Sequence, residues 1–193
     1  MPYRVGVLAL QGDFQLHCQS IDKLGQLPIL VKNPANLRQC DALIIPGGES
    51  TTMRKLLNSQ NLTEPLKEFS VSHPIMGTCA GAILLSRKIE DSPEPSFGFI
   101  DITIQRNAYG RQVHSFTQTG RLVGFNGNSA FEMVFIRAPI ISNAGAGVEK
   151  IAYLEDQVVM VRNQNILALT FHPELTPDTR IHQYFVNKFL TNN

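Results

Sequence analysis

Pro74-Ile75-Met76-Gly77-Thr78-Cys79-Ala80-Gly81-Ala82-Ile83-Leu84-Leu85 is the stretch that decides the fold. A short apolar run reads as a strand, a turn of small residues carries one cysteine, and residues 80–85 have helical character. This is the layout of a nucleophile elbow, G-x-C-x-G in place of G-x-S-x-G. Glycines on either side of the cysteine remove the Cβ atoms that would clash in so tight a strand-to-helix turn. The cysteine then stands above the sheet at a helix N-terminus, where the helix dipole favours thiolate over thiol. A cysteine that only filled core space would need none of this punctuation.

A base for that nucleophile stands about ninety positions downstream, in Thr170-Phe171-His172-Pro173-Glu174, just after the apolar run of residues 166–169. Residues two apart in an extended segment point to the same side, so His172 and Glu174 can lie side by side. Pro173 between them is expected to exclude helix, because it lacks a donor and disfavours helical geometry before it. A carboxylate bonded to one imidazole nitrogen selects the tautomer and leaves the other nitrogen to serve a thiol. Alone, such a tripeptide reads as a turn. With the elbow it becomes a nucleophile, base and orienter.

The third element is Asp41-Ala42-Leu43-Ile44-Ile45, a buried strand that runs into Pro46-Gly47-Gly48-Glu49-Ser50-Thr51-Thr52. Paired glycines at a strand's C-terminal end let backbone N–H groups converge on a developing negative charge. Ser50, Thr51 and Thr52 are each candidate N-caps for a helix through residues 53–57. A phosphate loop is excluded, since no Gly-Lys-Ser/Thr follows and Glu49 stands where an anion would sit.

Three motifs, Pro46-Gly47-Gly48-Glu49-Ser50-Thr51, Gly77-Thr78-Cys79-Ala80-Gly81 and Phe171-His172-Pro173-Glu174-Leu175, resemble those of class I (triad-type) glutamine amidotransferases. Arg106-Asn107-Ala108-Tyr109-Gly110-Arg111-Gln112 and Phe135-Ile136-Arg137-Ala138-Pro139 are similar to segments of the glutaminase subunits of pyridoxal 5′-phosphate synthase, the SNO family. Leu8-Ala9-Leu10-Gln11-Gly12 fits the same family, and the resemblance runs from about Val5 to the C-terminal helix. His114 departs from it, standing where an acidic residue is expected, and residues 120–131 are less family-like.

The resemblance implies an α/β fold, three-layer α/β/α and flavodoxin-like, with a mixed, mostly parallel sheet. It implies hydrolysis of L-glutamine by a triad of Cys79, His172 and Glu174. Arg106 and Arg137 would line the glutamine pocket with Gly47, Gly48, Glu49 and Ile136, an arginine fork suiting the substrate's α-carboxylate. It also implies a partner, a (β/α)8 synthase subunit in a hetero-oligomer. That subunit would join the ammonia to ribose 5-phosphate and glyceraldehyde 3-phosphate, and the edge around Gln11-Gly12 would face it. No cofactor or metal is expected in this chain, since no Cys/His group has ligand spacing.

Composition adds bounds. The 193 residues fit one glutaminase domain, 1–193, with a sizeable core. A net charge of +1 leaves no electrostatic footprint for nucleic acid. Apolar runs are strand-sized, short of the ~20 residues of a membrane helix, and no leader pattern opens the chain. Three cysteines, odd and sparse, suit a reducing, cytoplasmic setting. Cys18 falls in a helical pattern with Phe14, Ile21 and Leu24 and reads as packing; Cys40 marks a strand entrance. His17, His73, His114 and His182 show no partner in sequence and read as surface or structural.

Residues 5–10, 27–31, 43–45 and 75–76 read as strands separated by helical patterns, which argues for a parallel sheet covered on both faces. Residues 99–105 and 133–136 read as antiparallel strands extending the same domain. Thr176-Pro177-Asp178 has the signature of a helix start, and the final helix is expected to reach about Leu190 and bury Ile181, Phe185 and Phe189. Two other classes share part of this pattern. A cysteine peptidase or related hydrolase could carry the elbow, with no reason for the arginine segments. A non-catalytic scaffold would be expected to lack part of the triad.

Overall fold

The computed structural model of the chain describes residues 1–90, 92–106, 115–125 and 129–191. His114, the arginine-segment residues 107–112 and part of the stretch 120–131 lie outside the described residues. In chain order the first half is β1 (Arg4–Leu8), α1 (Phe14–Lys23), β2 (Leu27–Val31), α2 (Pro34–Leu37), β3 (Ala42–Ile45), α3 (Ser50–Ser59), α4 (Thr63–Ser72), β4 (Ile75–Thr78) and α5 (Ala80–Leu85). The second half is mostly strand: β5 (Ser86–Ile89), β6 (Ile100–Gln105), β7 (Ser115–Leu122), β8 (Ala130–Ile136), β9 (Ile140–Ala144), β10 (Glu149–Leu154), β11 (Gln157–Arg162) and β12 (Ile166–Leu169). A 3₁₀ turn over Pro173–Leu175 and α6 (Arg180–Val186) follow.

Nine of these strands form one mixed sheet in the order β2-β1-β3-β4-β12-β11-β10-β7-β8. From β2 to β12 neighbours run parallel; from β12 to β8 they alternate antiparallel. Short apolar strands such as Ala42-Leu43-Ile44-Ile45 are buried throughout, as expected where both faces are covered. The two-residue period divides them between faces. Leu43 and Ile45 join the core under α3, α4 and α5, with Met53, Leu66 and Leu85. Ala42 and Ile44 join the opposite core under α1 and α6, with Ile21, Ile181 and Phe185. Fully burying a side chain such as Phe185 contributes about 1.5–3 kcal/mol. The result is the three-layer α/β/α arrangement. Among the described residues no helix is long and apolar enough to cross a membrane.

Several local expectations need correction. Residues 99–105, expected as an antiparallel strand, supply β6, which lies in a separate three-stranded sheet, antiparallel to β9 but parallel to β5. The first strand stops at Leu8, two residues short of the expected end. The N-cap of α3 is Glu49, not a hydroxyl residue: its carboxylate accepts from Thr51 N at 2.9 Å and Thr52 N at 2.7 Å. A carboxylate with two oxygens can take two of the helix's orphan donors at once, which Ser50, already inside the helix, cannot. Thr176-Pro177-Asp178 does not open the last helix, which begins at Arg180. Thr176 Oγ1 instead donates to Pro173 O, closing the 3₁₀ turn, and Asp178 is occupied by the Arg180 backbone N–H and guanidinium. Ile181, Phe185 and Phe189 are buried as expected.

Candidate active site

Parallel strands end on the same side of a sheet, so the loops after β1, β3, β4 and β12 meet there. The loop after β4 is the elbow. Cys79 has φ 49° and ψ −104°, the left-handed side of backbone space that costs a non-glycine residue on the order of 1–3 kcal/mol. Its N–H donates to Leu169 O at 2.8 Å, stitching the elbow to the end of β12. Helix α5 then packs directly on the sheet. A Cβ at Gly81 would overlap the Ile45 carbonyl, and one at Gly77 would overlap Leu85 and the Gly81 backbone. Both glycines are therefore required by close approach.

The loop after β12 brings His172, the candidate base. Pro173 does not exclude helix here; it occupies the first position of the 3₁₀ turn, where a missing N–H costs nothing, with His172 as its N-cap. The turn does what an extended segment was expected to do. His172 Nδ1 and Glu174 Oε1 lie 2.7 Å apart, and both residues are buried. The imidazole edge rests on Gly47, where any side chain would overlap His172 Cε1. Burial alone would lower the pKa of His172; the nearby Cys79 sulfur and the Glu174 carboxylate outweigh it and hold the ring above its ordinary value. His172 Nε2 has no hydrogen-bond partner among the described residues, and the Cys79 thiol donates to Ile136 O at 3.7 Å.

That contact brings in the segment of residues 135–139, marked in the sequence by its resemblance alone, through its backbone. Strand β8 is four places from β12 in the sheet, yet its end returns to the site. Val134 O accepts from His172 N at 2.8 Å, and Ile136 O receives the thiol. Arg137 follows with φ 44°.

Cys79 and His172 open on a cleft of about 610 Å³ that Gly47, Gly48, Glu49, Arg106, Ile136 and Arg137 also line. Gly12, Asp13, Ser50 and Ile83 complete it; none was among the expected pocket residues, although Gly12 was expected at the synthase-facing edge and Ser50 as a helix cap. Glu174 stands behind the cleft wall rather than in it. The Glu49 carboxylate is committed to α3, and hydrogen bonds led by the Thr52 hydroxyl hold its pKa down to about 2. Arg106 donates to Glu94 at 2.9 Å, the carboxylate that Thr51 and Arg54 also reach. Arg137 has no ion-pair partner among the described residues. Cys18 and Cys40 lie apart from the cleft, and burial raises both thiols, Cys40 to about 11.

Two histidines read as surface or structural prove to be fully buried behind the site. His17 Nε2 lies 3.3 Å from Glu174 Oε2, and His17 Nδ1 lies 2.9 Å from His182 Nε2. His73, by contrast, stacks on Phe69 near the surface. Burial lowers the pKa of His17 well below the ordinary value and that of His182 to about 4. Both are therefore neutral in the folded chain, while the unfolded chain takes up protons below about pH 6.5. Their contribution to stability is complete above that pH and is lost as pH falls toward 4, by up to about 1.4 kcal/mol per pH unit for each histidine. Thermal unfolding scans between pH 7 and 4.5 should show this decline. A flat profile in wild type, or an equal slope in His182→Gln, would refute it.

The sequence pattern of the SNO glutamine amidotransferase family matches residues 7–191. The chain is 46% identical over 185 residues to pyridoxal 5′-phosphate synthase subunit PdxT of Desulforudis audaxviator, across 95% of this chain and 97% of the other. Against the subunit of the same name from Pelotomaculum thermopropionicum it is 48% identical over 186 residues, 96% of this chain and 94% of that one. A crystal structure of a glutamine amidotransferase superposes with a TM-score of 0.88 at 44% identity, covering 95% of this chain and 97% of that one.

Proposed function

The chain belongs to the SNO glutamine amidotransferase family, and from that premise we propose that Cys79, His172 and Glu174 form its catalytic triad. It is the glutaminase subunit of a pyridoxal 5′-phosphate synthase and hydrolyses L-glutamine to L-glutamate and ammonia. His172 lies between a buried carboxylate 2.7 Å away and the cleft that Cys79 opens on, and this alignment carries the assignment.

Cys79 sulfur attacks the side-chain amide carbon of glutamine, and His172 takes the thiol proton. Backbone N–H groups near Gly48 and Ala80 receive the tetrahedral oxyanion. His172 returns the proton to the departing nitrogen, so ammonia leaves and a glutamyl thioester remains. Water, deprotonated by His172, then attacks the thioester, and glutamate leaves as the thiol is restored. Glu174 keeps the imidazole in one tautomer through both halves. Arg137, unpaired among the described residues, suits the substrate's α-carboxylate, with Arg106 beside it. Residues 1–193 act as one glutaminase domain. Three free cysteines, one of which must stay reduced, suit the cytoplasm.

The ammonia passes to a (β/α)8 synthase subunit within a hetero-oligomer, and docking of that subunit switches the glutaminase on. Gln11 Nε2 donates to Glu49 O at 3.0 Å, and Gly12 lies so close to Gly47 O that no Cβ fits. A partner seated on the Gln11–Gly12 edge thus bears on the loop that supplies an oxyanion donor. Gly48, at φ 143°, lets the Gly47–Gly48 peptide turn over with little steric cost. The partner shifts that equilibrium by its differential affinity for the two states. Glutamate release by purified chain should rise steeply over a titration of synthase. Full activity without the partner, unchanged at saturation, would remove the switch; no release at any synthase concentration would remove the glutaminase reading itself.

A further inference from the structure

The oxygen of Glu174 that does not hold His172 is buried, and among the described residues it has no aligned hydrogen-bond donor. A buried carboxylate oxygen without a donor is costly, so the nearest donor in reach matters. That group is His17 Nε2, 3.3 Å away on α1, on a side chain with no solvent exposure. We propose that His17 is a positioning residue of the triad: its Nε2–H holds the second oxygen of Glu174, and His182 behind it sets the tautomer that makes this possible. The proposal rests on the triad reading above and extends it inward.

The chemistry of the chain of contacts favours one arrangement of protons. A neutral imidazole carries a single N–H. Were it on Nδ1 of His17, the Nε2 lone pair would face a carboxylate oxygen, acceptor against acceptor. With the proton on Nε2, His17 donates to Glu174, and its Nδ1 accepts from His182 Nε2–H at 2.9 Å. His182 Nδ1 is then the bare end of the relay, which accords with its having no partner among the described residues. A lone pair left unpaired there is the lesser cost, since orphaned acceptors are better tolerated than orphaned N–H groups. The Thr78 hydroxyl, 3.4 Å from His17 Nε2, is the other polar group at this nitrogen. Thr78 directly precedes the nucleophile, so the relay touches both halves of the triad. The 3.3 Å contact is slightly long and not aligned for a hydrogen bond, as unliganded catalytic contacts often are.

Side chains that imitate one ring nitrogen at a time separate this role from mere core filling. A glutamine at 17 keeps an N–H near the Nε2 position; an asparagine keeps a polar group near Nδ1 and leaves Glu174 without its donor; methionine supplies neither. In the synthase-bound complex, His17→Gln should keep kcat for glutamate release within about threefold of wild type. His17→Asn and His17→Met should lower it on the order of tenfold to a hundredfold, with KM for glutamine little changed, the scale of an outer-shell orienting contact. In a Glu174→Ala background the Asn substitution should cost almost nothing more, because the group it acts through is already gone. Wild-type kcat in folded His17→Asn, or an equal additional loss in the Glu174→Ala background, overturns the proposal. Should His17→Met not fold, the Gln and Asn pair decides the matter, since a filling role predicts that neither is favoured by its nitrogen position. Glu174→Ala at wild-type kcat would overturn the triad reading instead, and is recognised because it appears before any change at residue 17.

Discussion

Cys79→Ala will abolish glutamate release, free or synthase-bound, by on the order of 10⁴-fold or more, while the fold is scarcely altered. The thiol forms the one covalent bond the reaction needs, and an alanine methyl occupies the same elbow. Cys79→Ser will be nearly as inert, since a hydroxyl is a far weaker nucleophile beside the same base. Cys18→Ser and Cys40→Ser should retain most activity. Burial raises both thiols, and Cys40 is tied to Asn36 O in a packing role. A glutamine-analogue electrophile followed by peptide mapping should therefore modify Cys79 alone. Label on Cys18 or Cys40 with Cys79 untouched would move the nucleophile elsewhere.

His172→Asn will lose the proton shuttle and, in the partnered enzyme, lower kcat on the order of 10⁴-fold. The backbone bond from residue 172 to Val134 O survives the change, so the loss is chemical rather than architectural. Glu174→Gln will cost less, on the order of 10²-fold, because the turn after Pro173 still presents a side-chain oxygen to the ring. Steady-state kinetics of both variants at saturating synthase give the comparison. Near-normal turnover in His172→Asn would require a different base, and a Glu174→Gln defect as deep as that of His172→Asn would mean the charge of Glu174, not its position, does the work.

What the chain discloses before folding follows from how far each feature reaches. The elbow and the His-Pro-Glu turn are written within a few consecutive residues each, so their chemistry is legible in order. The relay behind them is not, because His17, Thr78, Glu174 and His182 come from α1, β4, the 3₁₀ turn and α6. One trace exists: His17 sits between Phe14 and Ile21 on the apolar stripe of its helix, an odd place for a solvated histidine. The β10–β11 hairpin is hidden for another reason. Its two-residue turn, Glu155-Asp156, holds Glu155 at φ 51° without the glycine or asparagine that announces such turns. Thr176-Pro177-Asp178 misleads because every residue fits a helix start, while Thr176 and Asp178 are each spent on a different bond.

The strands that lead to Cys79 and His172 are neighbours in the sheet, Thr78 opposite Leu169, although about ninety residues separate them along the chain. β12 enters between β4 and β11, so the last strand to be synthesised closes the middle of the sheet. A nascent chain that has not reached residue 166 lacks both the Leu169 carbonyl that anchors the elbow and the imidazole to set beside the cysteine. Such long-range pairings are also the slow ones to form. On the proposed triad, reactivity comes into being only once β12 is in place. The same arrangement ties the cysteine's chemistry to completeness: withdrawing β12 from its slot takes the imidazole away from the cysteine.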